Sequence, residues 1–283
     1  MKQTIILAAL LLLTLLAIIL FIPSFDISDS VQEPLYVMTS AAVRNISEDV
    51  MLPVALTKVD ESTAPVAITF EKVIADYDFS LPVPESRNVG DSYFKRCVFI
   101  GDSRMLGLIR YTGIEPVNYC GVGLSIATLD SKAFVKQGDD YVTILEALRQ
   151  NTDFDALYIS TGINELGWGV QAFEKKYDST IKEIKNIVGS KPIYIQLIMP
   201  VTTEFENSAV MNPFGLSNNS VESFNNALIR TAENNRIFYL DCSHMFTLDD
   251  GSLDPSKSTD GAHLTVDAYS EQLEYYKTHV AGA

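Results

Sequence analysis

Basic charge, cysteine and histidine are all scarce in this 283-residue chain, and each shortage excludes something. Only 21 Lys and Arg stand against 36 Asp and Glu, a net charge of −15. A chain so acidic, with no dense Lys/Arg cluster, does not neutralise phosphates, so nucleic acid is excluded as a partner. Three cysteines, Cys97, Cys120 and Cys242, cannot all pair internally, which excludes a disulfide-built scaffold. The C-x-x-C and His-rich spacings of a zinc site are missing. So are a phosphate-binding P-loop, the third glycine of a dinucleotide fingerprint and a Gly-x-Ser-x-Gly elbow. The chain has no internal repeat and no low-complexity tract.

The N-terminus supplies the one long apolar run. Residues 5–22 are eighteen in a row without charge, with Thr14 the only polar member. At about 1.5 Å per residue such a helix is roughly long enough to cross the hydrocarbon core. It has no polar face, unlike a buried core helix. It is also longer than a signal-peptide core and ends at Phe21-Ile22-Pro23 without a small-x-small site. An uncleaved membrane anchor over 1–23 is therefore expected, with a cleaved signal peptide as the alternative. Lys2 precedes the run, and Asp26, Asp29 and Glu33 follow it, so the remainder is expected outside the cell membrane.

Residues 24–92 read as an extracellular stalk and lead-in, broken by Pro34, Pro53, Pro65, Pro82 and Pro84. A third segment, 93–283, alternates strands with helices. Strands are expected at 97–101, 117–120, 156–160, 193–199 and 237–240, because these are short continuous apolar runs. Helices are expected at 170–188, where apolar residues step by three or four, and at 220–234 and 266–279. The alternation predicts an α/β fold: a three-layer α/β/α sandwich around a parallel sheet of about five strands. In such a sheet Cys97 begins its strand, far from the other two cysteines, and is read as a small buried hydrophobe. A Cys120–Cys242 bridge stays open.

Open α/β sheets carry their sites beyond the carboxyl ends of the strands. The first expected strand leads into Gly101-Asp102-Ser103-Arg104 and the second into Gly121-Val-Gly123-Leu-Ser125. The third leads into Gly162-Ile-Asn164-Glu165, and Asp260-Gly-Ala-His263 precedes the last helix. Any one of these is an ordinary turn, and Asp102 and Ser103 are ordinary helix caps. Their joint order and placement are far less ordinary.

Together the four blocks resemble those of the SGNH (GDSL-like) hydrolase superfamily over about residues 93–280, in particular its extracellular members from Gram-positive bacteria. Two positions depart from the usual pattern: Arg104 stands where Leu is common, and Glu165 where Asp is common. The resemblance implies a flavodoxin-like sheet and a catalytic triad of Ser103, His263 and Asp260. It also implies an oxyanion hole from the Ser103 and Gly123 backbone N–H groups and the Asn164 side-chain amide, with Gly121 as the alternative to Gly123. No cofactor is implied.

The residue types support this chemistry on their own. A serine hydroxyl needs a base to become a nucleophile, and the chain has only three histidines. His279 lies near the end, His244 has only Asp241 as a neighbouring orienter, and His263 has Asp260 three residues before it. Asp102 is expected to order its turn and to take no part in the triad. The function expected is a serine esterase acting on small acyl, especially O-acetyl, esters of cell-surface glycan. An O-acetyltransferase, a lipase or thioesterase using residues 200–216 as an acyl site or lid, and an inactive wall-binding module are the alternatives.

Overall fold

The computed structural model describes residues 77–213 and 215–283, all within one compact unit. The anchor expected over 1–23 and the stalk up to residue 76 lie outside the described residues. Among the described residues no helix is long and apolar enough to cross a membrane.

The order of elements is β1 (Cys97–Gly101), α1 (Ser103–Thr112), β2 (Val117–Cys120), β3 (Val135–Gln137), β4 (Asp140–Val142) and α2 (Ile144–Gln150). There follow β5 (Ala156–Ser160), α3 (Val170–Val188), β6 (Ile193–Gln196), α4 (Thr203–Asn207), α5 (Asn218–Asn235), β7 (Phe238–Leu240) and α6 (Val266–Thr278). Strands β2-β1-β5-β6-β7 form one sheet in that order, every pair parallel. Counted along the chain, this is the 2-1-3-4-5 order of a flavodoxin-like sheet, with its switch point between β1 and β5. Strands β3 and β4 form a separate antiparallel hairpin.

Alternation along each strand sends side chains to two cores. Val98, Ile100, Leu157, Ile159, Ile193 and Ile195 face α2, α3 and α5. Phe99, Tyr158, Tyr194 and Phe238 face α1 and α6 on the other side. These four aromatics are register partners across β1, β5, β6 and β7, with successive ring centroids 4.9, 4.6 and 5.2 Å apart. Each such contact adds about 0.5–1.5 kcal/mol to the burial. Helix α3 turns Phe173, Tyr177, Ile181, Ile184 and Val188 inward, the stripe expected of a 3.6-residue period.

Residues 77–92 lie against the edge of this sheet. Phe79 and Val83 are buried, Val83 N–H donates to the Tyr239 carbonyl at 3.0 Å, and the Tyr239 hydroxyl donates to the Ser80 carbonyl at 2.9 Å. An edge strand with unpaired carbonyls is thereby covered.

Several expectations need correction. The strand expected at 193–199 stops at Gln196, because Ile198 turns both its N–H and its carbonyl to the Asn225 side chain, at 2.7 and 2.9 Å. Ile237 is no part of β7: its N–H closes the end of α5 on the Ala232 carbonyl. Cys120 ends one edge strand and Cys242 follows the opposite one, about four strand spacings or roughly 19 Å apart. A disulfide needs Cα atoms within about 7 Å, so the bridge left open is ruled out and all three cysteines are free and buried.

Candidate active site

Ser103 is the first residue of α1, capped by Asp102, whose carboxylate accepts the Arg104 N–H at 2.9 Å. The N–H of Ser103 has no intrahelical acceptor, as at the start of any helix, and the helix dipole there favours negative charge. Its hydroxyl lies 2.8 Å from His263 Nε2. On the other side of the ring, Nδ1 is 2.7 Å from Asp260 Oδ2. That contact keeps the proton on Nδ1 and leaves Nε2 to accept the serine hydroxyl.

The four residues 260–263 make a tight unit. Asp260 Oδ1 accepts the backbone N–H groups of Ala262 and His263, at 2.9 and 2.8 Å. Partial burial alone would raise the Asp260 pKa; these two bonds and the His263 ring outweigh it and hold the carboxyl below its usual range. Gly261 has φ +88°, and a Cβ there would meet Phe205 at 2.6 Å and Thr202 at 2.8 Å, so only glycine fits. Thr202 N–H in turn donates to the Gly261 carbonyl at 2.8 Å. The segment 200–216 thus braces the histidine loop, a role not foreseen for it. It is knotted by Asn212, which bonds the backbone of Glu206 and Leu216.

The other predicted residues stand in the loops that follow β2 and β5. Gly121 N–H is already spent on the Gly101 carbonyl at 2.9 Å, and a Cβ on Gly121 would strike Phe134. Gly123 is exposed at φ +70°, and its N–H has no acceptor among the described residues. Between the two alternatives, only Gly123 has a free donor. Asn164 is exposed, and its amide gives one hydrogen to the Leu124 carbonyl at 2.9 Å, leaving the second available. Ser103 and Asn164 follow β1 and β5, the strands that flank the switch point.

The remaining histidines stand elsewhere. His279 stacks on Tyr275 with its Nδ1 2.8 Å from that residue's carbonyl, and His244 is exposed beside the same ring.

Two residues that depart from the common pattern hold the site from behind. Arg104 donates to the carbonyls of Met199 and Pro200, tying α1 to the segment that braces the histidine loop. Glu165, wholly buried, accepts the Ile126 N–H at 2.6 Å and so fastens the loop that carries Gly123. Sequence reasoning noted both substitutions but not these roles. Their partners lie 95 and 39 residues away, beyond any local pattern.

Asp102 is also buried, which pushes its carboxyl up to about 6. It does not touch His263. Behind it a closed cavity of about 20 Å³, lined by Arg104, Gln196 and Gln272, has room for little more than a water. In front, an open groove of about 240 Å³ runs past Ser103, His263 and Asp260. Among the described residues no group of three His, Cys, Asp or Glu side chains is placed to hold a metal ion.

No protein-family model matches the sequence, and no curated protein matches it. Solved structures do. A candidate platelet activating factor from Streptococcus pneumonia is 20% identical, with a TM-score of 0.51, over 73% of this chain and 92% of its own. A GDSL-like lipase from Bacteroides thetaiotaomicron is 14% identical, with a TM-score of 0.48, over 72% and 93%. A carbohydrate acetylesterase from Sinorhizobium meliloti is 11% identical, with a TM-score of 0.44, over 64% and 94%. The likeness to the Streptococcus pneumonia structure shows a shared α/β fold.

Proposed function

We propose that this protein is a serine esterase that hydrolyses small acyl esters, O-acetyl groups on cell-surface glycan foremost, through a Ser103–His263–Asp260 acyl-enzyme mechanism. The observation that carries the reading is the unbroken chain of contacts from the Ser103 hydroxyl through His263 to Asp260, at 2.8 and 2.7 Å, on the wall of an open groove.

In the first step His263 Nε2 takes the Ser103 proton as Oγ attacks the ester carbonyl. Asp260 stabilises the imidazolium that forms, and its depressed pKa keeps it ionised for that task. The carbonyl oxygen, now negative, accepts the free N–H groups of Ser103 and Gly123 and the remaining Asn164 amide hydrogen. Each such donor is worth about 10²–10³ in rate. His263 then protonates the departing alcohol, and a water activated by the same imidazole releases the acid.

The groove volume favours a small acyl group. At about 240 Å³ it is smaller than the roughly 300–1,000 Å³ typical of pockets that enclose a drug-sized ligand. An anchor at 5–22 would hold the domain at the outer membrane surface, where acylated glycans are found.

The test is hydrolysis of p-nitrophenyl esters from acetate to octanoate. The proposal predicts a rate highest on acetate, falling with chain length and lost in Ser103→Ala. Rates that peak on long chains would move the substrate to lipids, and a folded protein without activity on any ester would refute the reading.

A further inference from the structure

We infer that the groove in front of Ser103 carries a second recognition point, built from Arg110 and Tyr111, that selects acyl esters bearing an anionic group beside the scissile bond. The inference rests on the esterase reading for what occupies Ser103, and it names the class of substrate.

The helix geometry sets this up. Ser103, Gly107, Arg110 and Tyr111 fall at i, i+4, i+7 and i+8 of α1, and such positions share one face. All four line the groove. Arg110 lies about 10 Å along the axis from Ser103, at 1.5 Å per residue. Helical side chains tend to lean back towards the N-terminus, which for Arg110 is the direction of the nucleophile. Gly107 between them is required: a Cβ there would meet the Tyr269 ring at 2.4–2.9 Å. The missing side chain lets Tyr269 pack down and leaves the stretch from Ser103 to Arg110 clear.

Tyr269 supports the far end as well. Tyr111 stacks on it, centroids 5.5 Å apart and planes 19° from parallel, yet remains 57% exposed. An aromatic ring held from below and open above is a platform for the apolar face of a sugar.

Charge marks the ligand. Arg96, Arg149 and Arg230 each meet a carboxylate at 2.6–2.9 Å. Arg110 is exposed, and its guanidinium has no hydrogen-bond or ion-pair partner among the described residues, in a chain with fifteen surplus negative charges. A cation in the last turn of a helix is favoured by the dipole, but that would hold at any position of the turn. Arg110 stands on the stripe shared with the nucleophile. Besides the phenols of Tyr111 and Tyr269, the other ionisable groups on the groove wall, Asp260 and His263, are paired with each other. Guanidinium binds carboxylate and phosphate through the same forked geometry, so the class is an oxyanion-bearing acylated sugar.

Binding tests this without turnover. The full-length Ser103→Ala protein is titrated calorimetrically with acetylated methyl galactoside, acetylated methyl galacturonate and acetylated methyl galactoside 6-phosphate. At least one anionic sugar is expected to bind about tenfold more tightly than the neutral one, or 1.4 kcal/mol. Whichever anion leads identifies the group as carboxylate or phosphate. Adding Arg110→Gln is expected to level the three affinities, and Arg110→Lys to keep part of the preference. Equal binding of all three sugars with Arg110 in place, or a preference that survives Arg110→Gln, would overturn the inference. Turnover of the neutral sugar ester by the protein with Ser103 intact judges the esterase reading separately.

Discussion

Glu165 offers the sharpest test of how the proposed oxyanion donors are held. Its carboxyl is wholly buried, and one oxygen accepts the Ile126 N–H at 2.6 Å. The loop it fastens carries Gly123 and also the Leu124 carbonyl, on which the Asn164 amide rests at 2.9 Å. Removing the tether should therefore displace two donors together. Glu165→Ala leaves the buried Ile126 N–H unsatisfied, about 1–3 kcal/mol, and leaves a cavity besides. A loss of roughly 3 kcal/mol corresponds to about 6–12 °C in Tm for a domain of this size. Complete loss of one donor costs about 10²–10³ in kcat, so a loosened loop should cost about 10–10² with KM little changed. Glu165→Gln keeps an acceptor for Ile126 and should stay within about threefold of wild type in kcat. The Gln variant carries a second signature. Burial raises the Glu165 pKa, so the stability this group supplies is complete below the ordinary glutamate value and is lost as pH rises through the raised one. Glu165→Gln should lack that decline. Steady-state kinetics with thermal melts at several pH values decide the matter. A Glu165→Ala protein that melts lower yet keeps wild-type kcat would refute the tether.

Two neighbouring glycines should fail in different ways. Gly121→Ala drives a Cβ to 2.4 Å from Phe134 and should lower the melting temperature through overpacking worth about 1–3 kcal/mol. Gly123→Ala meets nothing within 4 Å but must hold φ +70°, so it should cost only about 1–2 kcal/mol of stability. In relieving that strain it should turn its N–H away and lower kcat by at least about tenfold; equal kcat in the two variants would contradict the assignment of the donor. Asp102→Asn keeps the helix cap while removing a carboxyl that burial raises from 3.8 to about 6. The cost of ionising it is absent below about pH 4 and complete above about pH 6, up to roughly 3 kcal/mol with the Arg104 attraction already included. The variant should accordingly gain stability over wild type at pH 8 and not at pH 4, whereas a pH-independent difference in Tm would contradict this.

The sheet was legible because its strands are short apolar runs ended by Gly, Asp or Thr. β1, β2 and β5 match the expected bounds, and the first three sequence blocks sit where a parallel sheet presents its loops. What escaped depends on contacts distant in sequence. The Asn225 amide that ends β6 comes from a helix 27 residues on. The β3–β4 hairpin has partly exposed strands without a strong apolar run. Helix α2 was missed for a different reason: its signal is local, a Thr143-x-x-Glu146 capping box with both bonds formed, but only seven residues follow. The pairing of Asp260 with His263 was readable from their spacing alone. The choice between Gly121 and Gly123 was not, because it turns on Gly101 having already taken one of the two N–H groups.

The central claim is that Ser103 is a nucleophile activated by His263. The most direct measurement is mass spectrometry of the intact and digested protein after treatment with a fluorophosphonate. The account predicts one adduct, on the peptide containing Ser103, formed at least about 10²-fold more slowly in His263→Ala. An adduct on another residue, or none on a folded protein, would contradict it.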